Sequence, residues 1–274
     1  MKWAEIGFTQ ENRRLKVLSE FLKSNDVENE FSFLTTIEDN FVDCLVDAQK
    51  KFEVIHVANE LGGYDLANEY SYPSRLLSLQ IQDVFQKYDG QWLPRNFLLE
   101  SIRVILAGAG DELDINGGVL IFGSGPSAVA AFGALNFLGF SRFTFVDANN
   151  SNLNDVLEKL RRFNFGVDIN SASNAMITQL PGIFSVVVNT MDEESESQII
   201  EELSFFNFLA NNGIVVSTRL QKEVRFLTEA KNLGAQIVDG YQIFSKLDFM
   251  WLNEFLGEVS FQEEEIKDIY LKSI

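Results

Sequence analysis

Residues 117–140 read GGVLIFGSGPSAVAAFGALNFLGF, and this stretch decides the fold. Val119 to Phe122 form an apolar run suited to a buried strand, the run passes straight into Gly123, and a helix of small residues follows. The turn Gly123-Ser124-Gly125-Pro126-Ser127-Ala128 fits G-x-G-x-x-A. That pattern is weak alone, but between a strand and a helix it is the opening of a dinucleotide-binding βαβ unit. Gly123 allows the tight turn, Gly125 lets the backbone approach a pyrophosphate, and Ala128 permits close helix–strand packing. The helix N-terminus offers a partial positive charge to phosphate. Pro126 is tolerated in a first turn, where its missing N–H has no intrahelical acceptor, and Ser127 restores a donor through its hydroxyl. A glycine turn that serves packing alone would give the same fold without a ligand.

Downstream, RFTFVD (142–147) is a second strand ending in Asp147, about 20 residues beyond the turn, where an acidic side chain accepts hydrogen bonds from the adenine-ribose hydroxyls. A 2′-phosphate would need a cation there. The residues that follow, Ala148, Asn149, Asn150, Ser151 and Asn152, include none, so the expected cofactor is NAD rather than NADP. Further on the pattern alternates: a helix over 153–164, strand 184–190, a helix over 197–210, strand 213–218, a helix over 224–234 and strand 235–240. A parallel, doubly wound sheet is the economical solution.

The first hundred residues also alternate. WAEIGF, EFSFLT and EVIHVAN read as strands, RRLKVLSEFLKS and FVDCLVDAQK as helices, and 61–76 as a loop suited to lining a cleft. YDGQW reads as a turn before a bridging helix that starts at FLLESIRVIL. The acidic segment 248–274 reads as helices that pack back on the protein. The fold class is therefore α/β: an N-terminal α/β substrate-type domain, residues 1–102 completed by 248–274, joined by bridging helices to a Rossmann-like domain, residues 103–247.

Forty acidic against 22 basic residues give a formal charge of −18, a field that repels nucleic-acid backbones and anionic membrane surfaces. The sequence shows no bilayer-spanning apolar stretch and no secretory signal, which points to the cytoplasm. Cys44, on a helical apolar pattern, reads as a buried thiol, and His56, inside a strand without companion ligands, as a structural histidine.

The order of these signals resembles the shikimate dehydrogenase family. MKWAEIG is similar to its first strand, residues 117–149 to its cofactor turn and second strand, FSVVVNT to its Asn-(Ala/Thr)-Thr strand end, and 230–244 to the Gly-containing passage before its last helices. Only the second of these is specific by itself. The resemblance implies an N-terminal substrate domain, a Rossmann-like cofactor domain and a C-terminal return helix. It places Gly123, Ser124, Gly125, Pro126, Ser127, Ala128, Asp147, Asn149, Asn189, Thr190 and Gly240 around a dinucleotide, with a small molecule of unassigned identity in the interdomain cleft.

The departures fall on chemistry. Where the family has a Ser-x-Ser carboxylate clamp, FTQENRRLK has no serine. Asn59 lies near the place of the family's catalytic lysine, and Lys50 and Lys51 precede the strand. Asn96, Phe97 and Leu98 fall over its Asn-Thr-Asp, and Leu98 cannot carry a proton. Asp147-Ala148-Asn149 replace its NADP-reading Asn-Arg-Thr, and Leu247 and Asp248 fall near its late glutamine.

Three readings follow. The first is a shikimate dehydrogenase-like NAD(P)-binding protein with an eroded substrate site and no catalytic residue assigned. The second is an active NAD-dependent oxidoreductase on another small hydroxy or carbonyl compound, with Tyr64, Asp65, His56 or Arg95 in a different proton relay. The third is a non-enzymatic interaction protein with no cofactor, using its acidic surface and some of its 25 phenylalanines, such as those of FFNF.

Overall fold

The computed structural model describes residues 1–8, 12–110, 113–147, 150–173, 176, 180, 184–200, 208–257 and 259–274. Two compact units are present: Met1–Phe97 with Ser245–Ile274, and Leu98–Phe244.

In the first unit, β1 (Lys2–Gly7), β2 (Glu30–Thr35), β3 (Val54–Val57), β4 (Val84–Tyr88) and β5 (Gln91–Arg95) form one sheet in the order β2-β1-β3-β4-β5. β1 pairs parallel with β2 and β3, whereas β3–β4 and β4–β5 are antiparallel. Helix α1 (Arg13–Ser24) begins where the Asn12 side chain accepts from Arg14 N at 3.0 Å, and it buries Leu15, Leu18 and Leu22 at helical spacing. Helix α2 (Phe41–Gln49) and the short α3 (Ser74–Leu77) complete the N-terminal part.

β5 was not anticipated, because Pro94 argues against a strand. Pro94 is tolerated because β5 is the sheet's edge. Asp89 and Gly90, both at positive φ (47° and 81°), make the two-residue hairpin turn that joins it to β4. Cys44 is half-exposed rather than buried, since it sits one residue before the α2 contact Leu45; partial burial raises its thiol pKa.

In the second unit, α4 (Phe97–Ala107) leads to β6 (Gly118–Phe122), α5 (Pro126–Phe137), β7 (Arg142–Val146), α6 (Asn150–Phe163), β8 (Asp168–Ser171), β9 (Phe184–Asn189), α7 (Glu193–Ile200), β10 (Leu209–Ser217), α8 (Arg225–Asn232) and β11 (Gln236–Val238). The six strands run in the order β11-β10-β9-β6-β7-β8, all parallel. This is the doubly wound sheet expected from the sequence. β6 and β9 are buried along their whole length, as strands covered on both faces must be. Helix α5 is apolar all round and buries Ala128, Ala130, Ala131, Phe132, Ala134 and Leu135.

β8 was not read from the sequence. It is a four-residue edge strand, Asp-Ile-Asn-Ser, with one buried side chain, so it lacks apolar alternation. The helix expected over 197–210 departs at its end: Leu209 and Ala210 belong to β10, and Leu209 pairs with Phe184 before a bulge around Asn212 (φ 62°). Residues 201–207, which hold most of FFNF, lie outside the described residues; Phe208 is buried against Phe122.

Helix α9 (Gly240–Leu256) contains the second boundary between the units, and α10 (Glu263–Ser273) follows it. In the first unit Asp248, fully buried, accepts from Arg14, from Trp251 Nε1 at 2.8 Å and from the Tyr270 hydroxyl at 2.6 Å. Arg14 is itself buried. The ion pair thus ties α1 to the C-terminal helices.

His56 lies beside it, between Trp3 (ring centroids 5.5 Å) and Trp251 (4.8 Å), and its Nε2 finds no hydrogen-bond partner among the described residues. Burial, reinforced by Arg14, pushes its pKa well below 6.5. The folded state therefore holds His56 neutral. The unfolded chain takes up a proton below pH 6.5, so this contribution to stability is present above 6.5 and is lost as pH falls towards the folded pKa, by up to about 1.4 kcal/mol per pH unit. His56→Phe should remove that part of the slope in urea unfolding between pH 6.5 and 5.5, while leaving stability at pH 7.5 equal or higher. An unchanged slope would show that His56 is charged in the folded protein.

Candidate functional site

The glycine turn lies at the C-terminal end of β6, where the strand order reverses: β7 flanks β6 on one side and β9 on the other. In open α/β sheets ligands bind in the crevice at this switch point. Gly123 N donates to Val146 O at 2.8 Å. Its φ of 106° disfavours any other residue, and a Cβ there would overlap Thr190 Oγ1. The first glycine is therefore demanded by the protein's own packing.

Gly125 differs. It is the N-cap of α5, with φ −77° and ψ −178°, an extended conformation open to any residue. A Cβ built on it meets nothing within 4 Å. Neither backbone nor packing requires glycine here; the missing side chain leaves open space above the N-terminus of α5. Pro126 occupies the first turn of α5, Ser127 is half-buried and Ala128 fully buried.

Ser124 is buried, and its hydroxyl donates to Asp147 Oδ2 at 2.6 Å while accepting from Asn152 Nδ2 at 2.9 Å. The turn, the end of β7 and the first turns of α6 are joined through one oxygen. Asn149 and Ala148 lie outside the described residues.

Asn189 ends β9 opposite Phe122 on β6 and Ser217 on β10. It is fully buried: Nδ2 donates to Glu196 Oε2 at 2.6 Å and Oδ1 accepts from Met191 N at 3.0 Å. Thr190 donates to the Phe122 carbonyl from both N (3.0 Å) and Oγ1 (2.8 Å). These bonds press residues 189–191 against the glycine turn. Glu196, buried, also accepts from Arg219 Nη1 at 2.7 Å. Neither Glu196 nor Arg219 was picked out from the sequence, because an acidic residue in a helix and an arginine after a strand are usually solvated, and no local pattern pairs positions 196 and 219.

Gly240 opens α9 against the segment that follows β10; a Cβ there would overlap the Arg219 carbonyl. Asp239 and Gln242 cap this start reciprocally, Gln242 N donating to Asp239 Oδ1 at 2.8 Å and Asp239 N to Gln242 Oε1 at 3.1 Å.

The residues considered for an alternative proton relay each have structural partners. Arg95 pairs with Glu254 and lies over the Phe97 ring, Asp65 accepts from Ala67 N at 3.0 Å, the Tyr64 ring stands edge-on to Phe41, and His56 is enclosed by two indoles. Lys50 pairs with Asp47 at 2.7 Å, Asn59 opens a short 3₁₀ turn, and Leu98 is buried. Among the described residues, no cluster of three or more His, Cys, Asp or Glu could hold a metal, and no helix is long and apolar enough to cross a membrane.

No protein-family model matches the sequence, and no curated protein matches it. Solved structures do. Shikimate 5-dehydrogenase from Thermus thermophilus, solved with NADP(H) and shikimate, is 14% identical with a TM-score of 0.76, over 100% of both chains. Quinate dehydrogenase from Corynebacterium glutamicum, solved with NAD, is 12% identical with a TM-score of 0.80, over 99% of both. The 5-ketofructose reductase of Gluconobacter sp. strain CHM43 is 12% identical with a TM-score of 0.77, over 100% of this chain and 98% of that one. The chain has the fold of the shikimate and quinate dehydrogenases.

Proposed function

We propose that this protein binds a nicotinamide dinucleotide at Gly123–Ala128, prefers NAD to NADP through Asp147, and does not act as a shikimate dehydrogenase. The observation that carries the reading is Gly125: a glycine that neither its backbone angles nor any neighbour within 4 Å requires, at the N-terminus of a helix on the switch point of a doubly wound sheet. A pyrophosphate laid against that backbone supplies the missing reason. Two similar folds were solved with NAD or NADP(H), which supports the same class of ligand here.

The residues present fit such a ligand. Gly123 and Gly125 would admit the pyrophosphate, Asp147 would accept from the adenine ribose, and residues 189–191 would border the turn on its other side. Bound NAD would supply a hydride acceptor. The absence of shikimate chemistry is read from the serine-free segment 8–16 and from Leu98, a buried side chain with no proton to exchange, in the place of the family's aspartate.

A second reading, an active oxidoreductase on another small hydroxy or carbonyl compound, draws support from the 5-ketofructose reductase, which has this fold and a different substrate. Calorimetric titration with NAD, NADH, NADP and NADPH tests the binding: NAD or NADH should bind more tightly than their phosphorylated counterparts, and failure of all four would overturn it. Reduction of bound NAD by members of a panel of small hydroxy acids and polyols would favour the second reading.

A further inference from the structure

We infer that the Ser124 hydroxyl sets the discrimination between a dinucleotide with a free 2′-hydroxyl and one with a 2′-phosphate. The inference rests on the dinucleotide reading above and deepens it: Ser124 is a positioning residue acting through Asp147. With its side chain almost fully enclosed, Ser124 does not present its hydroxyl to a ligand; that hydroxyl is spent inside the protein.

The proton count sets the direction of the network. A hydroxyl has one proton, an ionised carboxylate has none, and an amide nitrogen donates only. Asn152 Nδ2 lies 2.9 Å from Ser124 Oγ and must donate to it, so the single hydroxyl proton goes to Asp147 Oδ2, 2.6 Å away. The opposite amide orientation would put an acceptor against Oγ and make it compete with Asp147 for that proton. The short distance is that of a charge-assisted bond.

Ser124 also belongs to the turn, between Gly123, whose N–H is bonded to Val146 O at 2.8 Å, and the N-cap of α5. Asp147 directly follows Val146. The carboxylate is thus held from the turn on which the pyrophosphate would rest, and its position is set relative to that pyrophosphate. A carboxylate has about four lone-pair sites, so the bond from Ser124 is compatible with accepting from a ribose hydroxyl. A carboxylate tied to the turn stands against a 2′-phosphate; loss of the Ser124 bond loosens one of its ties and lowers the repulsion.

The test compares Ser124→Ala and Asn152→Ala with the unaltered protein by calorimetric titration with NAD and NADP, with circular dichroism to establish folding. Ser124→Ala should weaken NAD and spare or improve NADP, so that the ratio of the two Kd values falls about tenfold. Asn152→Ala, at an exposed position, should shift the ratio in the same direction by less, and it carries the test should Ser124→Ala fail to fold. If Ser124 only supports the turn, both Kd values rise by one factor and the ratio is constant, which overturns the inference and leaves the binding reading standing. No binding of either dinucleotide to the unaltered protein overturns both.

Discussion

Asp248→Ala should cost the protein about 3–5 kcal/mol of unfolding free energy, the range for removing one partner of a buried ion pair. The substitution leaves Arg14 charged and enclosed, and it strips the Trp251 indole N–H and the Tyr270 hydroxyl of their acceptor. A domain of ordinary stability has about 5–15 kcal/mol in total, so the loss should appear as a large fall in the urea midpoint. Asp248→Asn, which keeps an acceptor oxygen, should lose less. The double variant Arg14→Met with Asp248→Leu should recover most of the loss, because it removes the stranded charge along with its partner. A single-variant loss below about 1 kcal/mol would instead mean that Arg14 reaches water and the network is not sealed.

Gly125→Val should abolish dinucleotide binding without unfolding the protein. The valine side chain would project into the space proposed for the pyrophosphate, and displacement of the ligand from the α5 N-terminus should weaken binding by at least about 100-fold, or roughly 3 kcal/mol. The fold should survive with a loss of about 1 kcal/mol from the poorer N-cap, since the residue's φ of −77° suits valine and its Cβ meets nothing within 4 Å. Gly123→Val provides the contrast. At φ 106°, with Thr190 Oγ1 in the way, it should destabilise the fold itself. Titration and thermal unfolding of the two variants separate a glycine proposed to serve the ligand from one that the fold needs. Undiminished NAD binding by Gly125→Val would remove the principal support for the proposed site.

The second unit was legible in the sequence because its main signals are local. A parallel strand buried on both faces reads as a continuous apolar run, and Val119–Phe122 and Phe184–Val188 do so, the latter broken only by Ser185. The turn after β6 has a spacing that needs no distant partner to interpret. Edge strands are less visible: β5 contains Pro94 and β8 is mostly polar, since one side of each makes no ladder bonds.

What the sequence by itself determined is the class of fold, the order of its elements apart from the edge strands β5 and β8, and the place of the glycine turn, all carried by patterns within a few residues. Only the tertiary structure decided what individual side chains do there. It joined Ser124 to Asp147 and Asn152, Asn189 to Glu196 and Arg219, and Arg14 to Asp248, Trp251 and Tyr270. It also separated Gly123 from Gly125, which look alike in the motif. The physical reason is that a buried polar group must find its partner wherever packing brings one, and partners up to 234 residues apart leave no periodic trace in the chain.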